Sequence, residues 1–199
     1  KVFFFFFSSI ELKKPTKILS TIGPISYGIS TRDDEFKESL KNSDYLVLDG
    51  VYFALASILL NHKNLKKNQG PDVFRHFMKR VDKSGGKVFF MGSADYVLEN
   101  IRIRAANEFP NVRIDYYSPP FKPILNEQDN RIIVKKINSF KPDIVFVGMT
   151  CPKQEKWSYS IKDQLNTKLI CSIGAVFDWY GGSRREIKPI WWRLRLRWL

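Results

Sequence analysis

The sequence is poor in the side chains that make disulfides or hold metals: two Cys and two His in 199 residues. Cys151 and Cys171 make no disulfide framework, which points to a reducing compartment. His62 and His76 stand well apart, with no Cys or carboxylate cluster at metal-ligand spacing, so no metal site is expected. No G-x-x-x-x-G-K-[ST] occurs, because Gly86-Lys87 is followed by Val88, and this argues against a P-loop NTPase. G-x-G-x-x-G is also absent, which weakens a dinucleotide-dependent dehydrogenase. No Asp-x-Asp triplet is present to hold a divalent ion on a nucleotide diphosphate. Any diphosphate would have to be neutralised by Lys, Arg and backbone N–H groups. No apolar run approaches the roughly 20 residues of a membrane span; the longest, Val51 to Leu60, is about half that. The opening Lys1 to Phe7 is too short for a signal peptide's apolar region and lacks a small-residue cleavage site. The chain begins on Lys rather than Met and stops inside a basic, Trp-rich segment, so both ends are expected to be incomplete.

What is present suits one compact α/β domain over residues 1–183 with a short basic and aromatic appendage over 184–199. Hydrophobic residues make up 44% and aromatics 15%, enough for a sizeable core. A charged fraction of 27% beside 16 Phe excludes a disordered chain. Lys and Arg number 33 against 20 acids, and the resulting +13 calls for an anionic partner.

Short apolar runs alternate with helical patterns, the signature of a largely parallel sheet. Strands are expected near Lys17–Ser20, Tyr45–Leu48, Lys87–Met91, Val112–Tyr116, Ile144–Val147 and Leu169–Ile173. Helices are expected over Asp33–Lys41, Val51–Leu60, Asp72–Lys83, Asp95–Phe109, Glu127–Phe140 and Lys153–Leu165. Gly70-Pro71-Asp72 is a helix start, and Ser118-Pro119-Pro120 is a loop. In such a fold ligands bind beyond the carboxyl ends of the strands. Four corners there stand out: Leu48-Asp49-Gly50, Gly92-Ser93-Ala94-Asp95, Gly148 to Glu155, and Gly174 to Asp178.

Each corner has a plain structural reading beside a chemical one. Asp49 is either an N-cap carboxylate or a general base at the mouth of the site. Pro152-Lys153-Gln154-Glu155 is good helix-start chemistry, but Gln154 also offers a donor and an acceptor to a sugar hydroxyl or a uracil edge. Asp178 caps the turn before Gly181-Gly182, and Cys151 is expected to be a small buried residue rather than a nucleophile. From Arg184 onward, Arg184, Arg185, Lys188, Arg193, Arg195 and Arg197 stand against one acid, Glu186, with Trp191, Trp192 and Trp198 among them. Either this is a solvated helix with its Trp side on the core, or an interfacial segment with Arg on anionic lipid or diphosphate. The density of Trp and Arg favours the second.

Taken together, five stretches resemble the WecG/TagA/CpsF glycosyltransferases. They are Leu48-Asp49-Gly50, Gly70-Pro71-Asp72-Val73-Phe74, Tyr117 to Phe121, Phe146 to Trp157, and Gly174 to Gly182. The resemblance implies a Rossmann-like core and an inverting, metal-independent enzyme without a cofactor. Such an enzyme passes an N-acetylmannosamine-type sugar from a UDP donor to a polyprenyl-diphosphate-linked sugar in cell-surface polysaccharide synthesis. It also implies a cytoplasmic protein, peripheral at the inner face of the membrane, with its C-terminal segment on the anionic surface. Carried over residue by residue, Asp49 matches the base, Thr21 a pocket Thr, and Gln154 with Glu155 the pocket's Pro-Lys-Gln-Glu block. Lys67 stands where an Arg is common, and Arg193, Arg195 or Arg197 would reach the diphosphate. Thr21-Ile22-Gly23 departs from the family's Thr-x-Asn, and the tail aligns only with a one-residue gap. The rival readings are an inactive relative that binds UDP-sugar or lipid and, further off, a nucleic-acid-binding module. The latter is disfavoured because no recognition motif accompanies the charge.

Overall fold

A computed structural model describes residues 10–49, 59 and 70–183 of the chain. Within them six strands form one all-parallel sheet. They are β1 (Lys17–Ile22), β2 (Tyr45–Leu48), β3 (Lys87–Gly92), β4 (Arg113–Tyr117), β5 (Ile144–Gly148) and β6 (Leu169–Ser172), in the order β2-β1-β6-β5-β3-β4. Seven helices pack on it: α1 (Pro24–Ser30), α2 (Asp34–Lys41), α3 (Gly70–Ser84), α4 (Asp95–Glu108), α5 (Glu127–Phe140), α6 (Lys153–Ile161) and α7 (Ala175–Tyr180). The fold is therefore the parallel α/β architecture that the alternation implies, and the Rossmann-like one that the resemblance implies.

The central strands are covered on both faces, and their sequences say so. Ile144-Val145-Phe146-Val147-Gly148 is buried at every position, while Arg113-Ile114-Asp115-Tyr116-Tyr117 on the edge strand is nowhere fully buried. Leu19, Val88, Phe90, Phe146 and Cys171 point to one face, where α3, α4 and α7 bring Phe74, Phe77, Leu98 and Phe177. Ile18, Phe89, Val145 and Ile170 point to the other, under Ile133 and Ile137 of α5 and Trp157 and Ile161 of α6. Phe36 and Leu40 of α2 close the same face over Ile22, Leu46 and Leu48. A fully buried Phe or Leu contributes roughly 1.5–3 kcal/mol, so these two layers supply most of the driving force for folding.

Local chemistry sets several of the boundaries. Asp33 caps α2 by accepting from the Phe36 amide at 3.0 Å. Asn126 and Asp129 form a reciprocal capping box at the start of α5, at 2.8 and 3.0 Å.

Two helices go beyond the sequence expectation. α1 has Pro24 at its first position but also Gly28 and two Ile, a poor helical composition that reads as loop. α7 lies inside the apolar run that continues from β6, which hides its period. The helix expected to reach Leu165 ends at Ile161 and tightens into a 3₁₀ turn over Lys162–Gln164. The helix expected over Val51–Leu60 lies, but for position 59, outside the described residues. So do Lys67, Arg193, Arg195, Arg197 and the whole 184–199 appendage. No helix among the described residues is long and apolar enough to cross a membrane.

Candidate active site at the carboxyl edge of the sheet

Strand order decides which corners meet. β2, β1, β6 and β5 are consecutive neighbours, so the loops leaving them lie side by side along one edge. Those strand ends, loops and first helical turns carry Asp49, Thr21 with Gly23, Gly174, and the Gly148 to Glu155 stretch. The chain leaves β1 and β5 toward the α2 and α6 face, and leaves β6 toward the α7 face. Neighbouring loops that diverge in this way open a crevice between them.

Asp49 is held at the end of β2 by its own backbone, whose N–H donates to Ile22 O at 2.8 Å. Its strand parity is that of Val47, and Thr21 pairs with Val47 in the ladder, so both side chains project on the same side of the sheet. The Thr21 hydroxyl donates to the Ser172 carbonyl at 3.3 Å, which ties the tip of β1 to β6. Gly23 follows at the N-cap of α1, in extended conformation, and its N–H donates to Ser26 Oγ at 2.7 Å.

Gln154 and Glu155 are placed deeper than a substrate-facing pair. They are 5% and 2% exposed. Gln154 Oε1 accepts the Gly174 N–H at 3.0 Å, and Gln154 Nε2 donates to Glu155 Oε1 at 2.8 Å. These two bonds leave one N–H and one lone pair of the Gln154 amide unused. Among the described residues Glu155 Oε2 has no hydrogen-bond partner. Burial pushes the Glu155 carboxyl up to about 7, against the smaller opposing pull of its contacts with Gln154, its own backbone and Cys151. The Cys151 thiol sits beside this carboxyl, half-buried rather than buried as expected. Burial first, and the Glu155 and Asp33 carboxylates next, push the thiol up to about 12, the opposite of what a nucleophilic thiolate needs.

Two glycines allow these loops to approach. A Cβ on Gly148 would fall 2.3 Å from Phe177 Cδ1, and one on Gly174 would fall 2.5 Å from Met149 O and 2.8 Å from Gln154 Oε1. Behind the loops, Lys156 pairs with Asp33 at 2.8 Å and Glu35 at 2.9 Å, locking α6 to α2. Asp178 lies in α7 rather than at a turn, and the Ser183 hydroxyl donates to its carbonyl at 3.1 Å. An open depression of about 430 Å³ between α4 and the end of α7 is lined by Asn100, Arg104, Tyr180 and Gly181, and none of the candidate residues borders it.

The structure thus brings Thr21, Asp49 and the Gln154–Glu155–Gly174 relay to one edge of a parallel α/β sheet. Sequence spacing did not show the relay itself, since Gly174 lies on a different corner from Gln154. No group of three His, Cys, Asp or Glu that could hold a metal occurs among the described residues. The carboxylate, hydroxyl and amide thus stand at the carboxyl ends of parallel strands, where proteins of this α/β class bind their ligands. The Glycosyl transferase WecG/TagA/CpsF family matches residues 7–199, and the chain belongs to that family. It is a glycosyltransferase.

Among its relatives is the N-acetylglucosaminyldiphosphoundecaprenol N-acetyl-beta-D-mannosaminyltransferase of Bacillus subtilis (strain 168). The two are 26% identical over 182 residues, covering 91% of this chain and 69% of the relative. The like-named protein of Staphylococcus aureus (strain MRSA252) is 25% identical over 179 residues, covering 90% and 68%.

Proposed function

We propose that this glycosyltransferase moves an N-acetylmannosamine-type sugar from a UDP donor to a polyprenyl-diphosphate-linked N-acetylglucosamine, in the synthesis of a cell-surface polysaccharide. The names of the relatives support the sugar and the acceptor. The observation that supports the reading is the common edge: Asp49 after β2, Thr21 at the end of β1 and the Gln154 relay between β5 and β6 lie along the carboxyl ends of neighbouring strands.

The reaction is a single displacement with inversion. The acceptor hydroxyl attacks the anomeric carbon while its proton passes to the Asp49 carboxylate. The bond from that carbon to the UDP oxygen breaks, and its electron pair leaves on the diphosphate. The departing charge falls to cations and N–H groups, with Lys67 and one or more of Arg193, Arg195 and Arg197 as the cationic candidates. Charge stabilisation of this kind is worth roughly 3–4 kcal/mol per well-placed donor. Thr21 and the free N–H of Gln154 hold the donor, and Glu155 fixes the Gln154 amide. No metal or cofactor is required. The 184–199 segment, beyond the 1–183 catalytic domain, would meet the anionic inner face of the membrane, where the lipid acceptor resides.

The test is direct. The purified chain is incubated with UDP-N-acetylmannosamine and a short-chain polyprenyl-diphosphate-N-acetylglucosamine in EDTA, and UDP release and the lipid product are followed. Acceptor-dependent product in EDTA supports the whole reading. UDP binding without turnover across a panel of UDP-sugars would replace it with an inactive, ligand-binding relative.

A further inference from the structure

Large apolar side chains left in water are distributed unevenly over this molecule. Among the described residues nine are exposed, and five of them, Ile25, Tyr27, Tyr96, Phe121 and Ile124, lie on loops or first helical turns just beyond the carboxyl ends of β1, β3 and β4. Ile103, Ile132 and Tyr159 sit within helices and are about half-exposed, and Leu59 lies amid residues outside the description. Among the described residues, no loop that enters a strand carries one. Scattered single apolar residues need no explanation, but the gathering at one edge of five, including the two most exposed besides Ile25, does.

The loop after β4 is the sharpest case. Phe121 is 108% exposed and Ile124 82% exposed. Neither exposure comes from a loosely held loop. Pro119, Pro120 and Pro123 fix three backbone torsions around Phe121. At the base, the Ser118 hydroxyl donates to Ser93 O at 2.8 Å, Lys122 pairs with Asp129 at 3.0 Å, and Lys153 Nζ donates to the Lys122 carbonyl. A braced loop that holds Phe121 and Ile124 outward keeps two costly side chains in water, although the fold gains no contact from either. On α1, Ile25 is displayed in the same way, at 83% exposure.

We propose that this edge is a membrane-docking face, with Phe121 and Ile124 of the β4–α5 loop and Ile25 of α1 entering the interfacial layer of a lipid bilayer. The arrangement suits a plane rather than a partner's groove. β1 and β4 are four ladder steps apart, roughly 19 Å at about 4.8 Å per step, so the apolar tips are spread along a line instead of gathered in one patch. Lys122 lies in the loop between Phe121 and Ile124 and Lys153 beside it, and cations at such a rim suit an anionic lipid surface. The edge is also the one that bears Asp49. A bilayer at these tips would bring a lipid-linked diphosphate to the crevice without lifting its chain far from the membrane; this last argument rests on the proposed function. The contact is built into the α/β core itself and is separate from any made by the 184–199 segment.

The experiment measures partition of the full chain onto vesicles of equal parts phosphatidylglycerol and phosphatidylcholine, and onto phosphatidylcholine alone, with no substrate present. The double variant Phe121→Ser, Ile124→Ser should bind both kinds about tenfold more weakly. Ile103→Ser, the same chemistry away from the edge, should bind as the wild type does. Amide exchange of residues 121–126 in the wild-type chain should slow when vesicles are added. Undiminished partition of the double variant, or exchange in that loop unaltered by lipid, would overturn the docking face. Turnover of the double variant on a water-soluble short-chain acceptor should remain at the wild-type rate. Transfer on that acceptor with no loop effect on vesicle binding sinks this inference alone, whereas loop-dependent binding without transfer sinks the proposed reaction alone.

Discussion

The Gly174 backbone N–H donates to Gln154 Oε1 at 3.0 Å, fastening the loop after β6 to the helix that follows β5. That bond brings Glu155 into play, because Gln154 passes the constraint on through its 2.8 Å bond to Glu155 Oε1. Two corners far apart in sequence become one rigid wall of the crevice.

Gly174→Ala tests how tightly that wall is built. The added methyl would meet Met149 O at 2.5 Å and Gln154 Oε1 at 2.8 Å, and the first is a backbone atom between two fixed elements. Overpacking of this kind typically costs about 1–3 kcal/mol. Chemical denaturation should therefore show a lower midpoint with an unchanged slope, and transfer should fall with the displaced Gln154. A midpoint equal to that of the wild type would show that the two loops have slack.

Glu155 gives the chain a pH dependence with a definite sign. Its carboxyl titrates at about 7 in the folded protein against 4.5 ordinarily, because burial disfavours the charged form. Between those values the folded state holds a proton that the unfolded state has released. The contribution to stability is complete below about pH 4.5 and is lost as pH rises through about 7, a change of about 3 kcal/mol. Glu155→Gln removes the titration and keeps the shape. The stability difference between variant and wild type, followed by thermal unfolding from pH 5 to 8, should shift steadily in the variant's favour. A difference independent of pH would show that Glu155 is charged and compensated when folded.

Much of this fold is readable in the order of residues, and the reason is physical. A parallel sheet buried on both faces needs unbroken apolar runs, so Lys87–Met91 and Ile144–Val147 announce themselves. α5 shows its bounds through the Asn126 cap and the Phe140 end, and the observed helix matches them residue for residue. α7 does not, since Ala175-Val176-Phe177 continues the composition of β6 and only tertiary packing against α4 turns it into a helix. The site divides in the same way. Asp49 and Gln154 are legible as polar residues at strand ends, while the Gly174–Gln154–Glu155 relay depends on β5 and β6 being neighbours, which no local pattern encodes. The burial of Glu155 was equally invisible, because a helix-start acid ordinarily faces water.

Gly23 offers a test in the stabilising direction. It occupies the N-cap of α1, and no side chain there accepts from the first turn. Among the described residues a Cβ there meets only Asp49 O, at the ordinary contact distance of 3.5 Å. Gly23→Asn should therefore fit and cap the helix, for a gain of a few tenths of a kcal/mol. Thermal unfolding should rise slightly, and donor binding should tighten if the Asn amide reaches the crevice. A lower melting temperature would show that the turn between β1 and α1 needs the freedom of glycine.

Asp49→Asn separates the two readings of the most important side chain. If Asp49 served only as a helix cap, Asn would replace it at almost no cost, since the two residues cap about equally well. If Asp49 takes the acceptor's proton, Asn cannot, and transfer should fall by roughly 10²–10⁴. The amide matches the carboxylate in size, so the Asp49 N–H bond to Ile22 O and the β1–β2 register should survive, and with them UDP affinity to within about twofold. The decisive pattern is a lost rate beside an unchanged melting temperature and an unchanged dissociation constant for UDP. Retention of more than about a tenth of the rate would assign proton removal to another group, because removing a general base costs more than that. A fall in melting temperature together with rate would return Asp49 to a structural role at the end of β2.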